Sequence, residues 1–72
     1  MTLEQIIEKE NAHRSEGGMF GITACKEAIQ FDVKLRKCSL YEMLGKYVQM
    51  ANDDHFFNRA MVLACWELIN ER

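Results

Sequence analysis

The segment from Asp54 to Asn70 is apolar nearly all the way round when wound as a helix. One stripe comprises Phe57, Ala60, Met61, Ala64, Cys65 and Leu68; a second, Val62, Trp66 and Ile69; a third, Phe56 and Leu63. Beyond the opening Asp54 and His55, only Asn58, Arg59, Glu67 and Asn70 interrupt the circle. Such a helix must be enclosed on every side. The rest of the chain offers only three short segments to do it, so the sequence predicts burial completed by a second chain, in a homodimer or on a larger protein.

At 72 residues the chain reads as a single domain, residues 1–72, close to the lower size limit for an independent core. It contains no proline and only four glycines, which favours long helices over a turn-rich β fold. The longest apolar run, Ala60 to Trp66, is too short to span a membrane, and no basic-then-apolar leader is present. Cys25, Cys38 and Cys65 are odd in number and far apart, unlike a disulfide framework, which points to a reducing cytoplasm.

Thr2 followed by Gln5 forms a capping box, and the helix it opens is predicted to run to about Arg14. Gly17, Gly18 and Gly21 define a loop that carries Met19 and Phe20, two large apolar side chains that either plug the core or hook a partner. Ser39 and Glu42 make a second capping box, flanked by Cys38 and Met43 at staple spacing. The helix that follows presents Leu40, Leu44, Tyr47, Val48 and Ala51 on one face and ends near Asn52. Asn52 or Asp53 would cap the last helix.

Residues 22–38 admit two readings. Ile29 to Arg36 alternates apolar and polar, as a half-buried strand does. Wound as a helix, however, Thr23, Lys26, Glu27, Gln30, Lys34 and Lys37 gather on one arc of about 100°. The helix leaves Asp32 on the apolar side, where Arg36, one turn on, can neutralise it. The favoured fold is therefore all-α, a compact four-helix arrangement, with a short strand over residues 29–36 as the α+β alternative.

Catalytic and metal chemistry find no support. The cysteines lack a close ligand pair, His13 and His55 have no neighbouring ligand, and the glycines lack the spacing of a phosphate loop. No catalytic residue, metal ligand, cofactor or small-molecule substrate is assigned, and the cysteines read as small core residues. The net charge of −2 argues against a duplex-binding surface over the whole chain.

Two functional expectations follow. The favoured one is a small non-enzymatic protein-binding or regulatory module whose contact residues are Val62, Trp66 and Ile69, joined by Met19 and Phe20. The alternative takes residues 29–36 as a strand, which puts the chain in the strand, helix, loop, helix order of the ribbon-helix-helix repressors. A dimer of that topology would turn Ile29, Phe31, Val33 and Leu35 inward and offer Gln30, Lys34, Arg36 and Lys37 to DNA. Asp32 on the reading face and the acidic turn Asn52-Asp53-Asp54 stand against it.

Overall fold

Thr2 starts the first helix as its capping box requires. In the computed structural model its hydroxyl oxygen accepts from the Gln5 N–H at 3.3 Å, and its own N–H donates to Gln5 Oε1 at 2.9 Å. The structure describes residues 2–14, 21–52 and 56–71, with the backbone alone for residues 56–58. Met19, Phe20, most of the glycine loop and the cap of the last helix lie outside the described residues, as do the side chains of Phe56 and Phe57.

Four helices follow in order: α1 (Leu3–Ala12), α2 (Ile22–Arg36), α3 (Leu40–Ala51) and α4 (Phe56–Asn70). There is no strand among the described residues. The expected all-α, four-helix arrangement is what forms, and residues 29–36 continue α2 without a break. The first helix ends at Ala12, two residues short of the expected end, with His13 as its C-cap. Lys34 and Arg36 occupy the last turn of α2, where cations suit the negative helix end. Lys37 then stops the helix in the left-handed region at φ 53°, which turns the chain toward Ser39. Ser39 caps α3 by accepting from the Glu42 N–H at 3.2 Å.

The last helix is the centre of the bundle, with α1, α2 and α3 all packed against it. Ala60, Met61, Val62, Leu63, Ala64 and Cys65 are all buried, Val62, Ala64 and Cys65 completely. Six consecutive residues sweep through more than a full helical turn, so the middle of α4 is walled in from every direction. The chain thus encloses the middle of this helix by itself, while Trp66 and Ile69 further along keep part of their surface. Small residues explain how: Ala60, Ala64 and Cys65 let neighbouring helices come close, and α1, α2 and α3 all pack against α4. The radius of gyration, 11.1 Å, equals the value of about 11 Å expected for a compact chain of this length.

Ion pairs clamp the ends of α1 and α2 onto α4. Glu67 receives Arg14 in a two-pronged contact at 2.6 and 3.0 Å and Lys26 at 3.1 Å, while Lys26 also reaches Glu71 at 2.6 Å. The hydrogen bond to Glu71, more than that to Glu67, holds the Lys26 ammonium above its ordinary pKa against the opposing effect of burial. Nearer the middle, Arg59 meets Glu10 at 3.2 Å with both side chains largely covered. Glu67→Gln removes the charge that Arg14 and Lys26 share, leaves Lys26 with Glu71, and is expected to cost about 1 kcal/mol, an amount typical of a networked surface pair. Urea titrations at low and high salt check this: the deficit should shrink as salt screens the wild-type network. An equal deficit at both would show that the pairs contribute little charge energy.

Candidate functional site

Of the contact residues expected on α4, Val62 has no exposed surface at all. Trp66 and Ile69 are half-buried and pack against the core cluster. The surplus apolar face of α4 is therefore consumed largely inside the chain, and Val62 cannot touch a partner in this fold.

The basic set expected for DNA is also divided. Gln30 and Lys34, one turn apart, line an open groove of about 480 Å³ with Val33, Leu40, Leu68 and Glu71. Arg36 lies on the other side of α2, where its Nε stands 4.0 Å from Asp32 Oδ1, and Lys37 is spent on ending the helix. In a strand, even-numbered residues would share a face; in a helix, Lys34 and Arg36 diverge by about 200°. With α2 helical throughout, the two-stranded ribbon has nothing to form from.

The same winding produces a feature the sequence reading passed over. Ile22, Cys25, Ile29 and Val33 turn toward the core, Val33 partly and the rest fully buried. Phe31 and Leu35, their neighbours in the alternating run, turn outward and stand 67% and 68% exposed. Ala28 is exposed and Ala24 half-exposed on that same outer face. Ala24, Ala28, Phe31 and Leu35 fall within an arc of about 60°, a continuous apolar stripe along the length of α2. Two large apolar side chains facing solvent on one stripe form an exposed apolar patch.

Beside the stripe runs a second open groove of about 350 Å³ between α2 and α3. Ala28, Met43, Tyr47, Met50 and Met61 give it an apolar lining; Asp32, Arg36 and Lys46 supply the charges. Met50 is itself 39% exposed. Three thioether side chains in one groove make a lining that can reshape around an apolar guest. The Tyr47 hydroxyl crosses the groove to donate to Asp32 Oδ2 at 3.4 Å, so Asp32, awkward on an apolar helix face, is met by both Tyr47 and Arg36. Burial, reinforced by the Asp32 charge, pushes the Tyr47 phenol up to about 12. Tyr47 is therefore a fixed hydrogen-bond donor at neutral pH.

Among the described residues no three His, Cys, Asp or Glu side chains are grouped to hold a metal, and no buried side-chain nitrogen or oxygen lacks a hydrogen-bond partner. Cys25 and Cys65 are buried, and Cys65 Sγ donates to the Leu40 carbonyl at 3.2 Å. Burial raises both thiols, Cys65 to about 11, which keeps them protonated and poorly nucleophilic. No helix among the described residues is long and apolar enough to cross a membrane. No protein-family model, no characterised protein and no solved structure matches this chain.

Proposed function

We propose that this chain is a small, non-enzymatic protein-binding module whose working surface is the outer face of α2 with the adjoining α2–α3 groove. The exposure of Phe31 and Leu35, one turn apart and beside a methionine-lined groove, is the observation that carries this reading. An aromatic ring and a leucine flanked by alanines give a partner flat apolar area at the centre, with Glu27, Lys34 and Arg36 as a charged rim. The partner chemistry that fits is the apolar stripe of a helix laid alongside α2. Free thiols at Cys25, Cys38 and Cys65 suit a reducing, cytoplasmic setting.

The test is a comparison of two baits, the wild-type chain and Phe31→Glu/Leu35→Lys. Both replaced side chains are mostly in water, so the fold should change in stability by no more than about 1 kcal/mol. Proteins retained by the wild type should be lost from the double variant, while circular dichroism shows unchanged helicity. The same proteins on both baits would overturn the reading. Trp66→Glu serves as a contrast: it should leave capture intact in whatever fraction remains folded.

A further inference from the structure

We propose that the occupant of the α2 face is a second copy of this chain, its α2 packed antiparallel across a two-fold axis, with Phe31 seated on Ala28 of the other copy and Leu35 on its Ala24. The proposal rests on the docking reading above and names the partner. Three features of the stripe carry it: its spacing, its division into a small and a large half, and the charges along its border.

Ala24, Ala28, Phe31 and Leu35 follow one another at intervals of four, three and four residues, the spacing of a two-stranded helical seam. The small pair stands toward the start of the helix and the large pair toward its end. An antiparallel mate therefore brings large residues opposite small ones. The register that places Phe31 over Ala28 also places Leu35 over Ala24, because both pairs are centred on the same point, between Ile29 and Gln30. A parallel mate would instead stack ring on ring and leave the alanines facing each other across a gap.

Charge selects the same arrangement. Glu27 and Lys34 border one side of the stripe, both are exposed, and neither enters an ion pair among the described residues. In the antiparallel register Glu27 comes within about 3 Å, measured along the axis, of the level of Lys34 on the other copy. Symmetry makes this contact twice, so one surface supplies both partners of each pair. A parallel mate would set Glu27 beside Asp32 of the other copy, like against like. Four stripe residues and their rim make a small interface, at the low end of specific ones, so the dimer forms reversibly with concentration.

Sedimentation equilibrium across the micromolar to millimolar range tests the proposal on the full chain. The wild type should shift from monomer to dimer; Phe31→Glu should stay monomeric with unchanged helicity. Glu27→Lys and Lys34→Glu should each weaken the dimer by roughly three- to thirty-fold, since two rim attractions become repulsions. The combined swap Glu27→Lys/Lys34→Glu should restore it, because each new lysine again meets a glutamate. Should Phe31→Glu lose helicity, the exposed charge swap still decides. A wild type that stays monomeric throughout overturns the second-copy proposal and leaves the docking reading to the capture experiment. A dimer unaffected by Phe31→Glu, or one that the combined swap fails to restore, overturns the interface or its register. Identical capture by both baits from a wild type that stays monomeric overturns the docking reading as well.

Discussion

Val62→Asp is expected to unfold the chain. Val62 has no exposed surface, and its neighbours Leu63, Ala64 and Cys65 are buried to 1% or less, so a carboxylate introduced there reaches neither water nor a cation without opening the bundle. Burial of an unpaired carboxylate costs more than about 5 kcal/mol, as much as many domains this small possess. Far-UV circular dichroism at neutral pH should show a largely disordered chain. Two comparisons make the result specific. Leu63→Ala, which removes bulk without adding charge, should cost about 2–5 kcal/mol and leave a folded, weaker protein. Trp66→Glu, at a half-buried position, should cost about 1–3 kcal/mol because its side chain can swing outward. If Val62→Asp melts within about 1 kcal/mol of the wild type, α4 is not the enclosed axis of this fold.

That ordering inverts the expectation drawn from the sequence, and the inversion has a physical origin. The all-round apolar character of α4 was plain, and so was the need to enclose it. What the sequence did not display was the closeness with which three helices pack around Ala60, Ala64 and Cys65, a tertiary property that no single segment encodes. The capping box at Thr2 and the hydroxyl cap at Ser39 were legible because they are local: hydroxyl and backbone N–H lie three residues apart whatever the rest of the chain does; the return bond from Glu42 to Ser39 that the sequence suggested is absent. So was the Asp32–Arg36 contact, fixed by one turn of helix.

The candidate site was legible in principle. With Thr23, Lys26, Glu27, Gln30, Lys34 and Lys37 gathered on one arc of α2, its apolar residues must spread over the remainder of the circle, more than one core face can absorb. Ile29 and Val33 take the inner part; Phe31 and Leu35 are left outside. Surplus apolar surface therefore arises on α2 as well as on α4. Alternation in Ile29–Arg36 hid this, since a strand would have placed all four apolar residues on one side. The α2–α3 groove had no such trace, because Met43, Met50 and Met61 come from two helices whose separation only the packed chain sets.

Alkaline solution should unfold the protein through groups at the heart of this packing. Tyr47 keeps its proton up to about 12 in the folded chain against an ordinary value of 10.0, first because it is buried and then because Asp32 faces it. Cys65 keeps its proton up to about 11 against 9.0, again through burial and then the proximity of Cys38, and burial moves Cys25 in the same direction. Between the ordinary and the raised value of each group, the unfolded chain releases a proton that the folded chain retains. Rising pH therefore draws molecules toward the unfolded state, and the stability present below the ordinary value is lost by the raised one. Each two-unit shift corresponds to roughly 2–3 kcal/mol, so Tyr47 and Cys65 together withdraw an amount comparable to the whole stability of a small domain. Thermal melts in steps from about pH 8 to 12 should show a decline that begins near the cysteine range and steepens in the tyrosine range. Tyr47→Phe separates the contributions. It forfeits a long hydrogen bond to Asp32, a loss of about 1 kcal/mol at neutral pH, yet flattens the upper part of the decline. The phenylalanine variant should accordingly be the weaker protein at neutral pH and the stronger near the top of the range. Curves that stay parallel throughout would mean that Tyr47 ionises as readily in the folded chain as in the unfolded one, and that the hydroxyl across the α2–α3 groove is open to water.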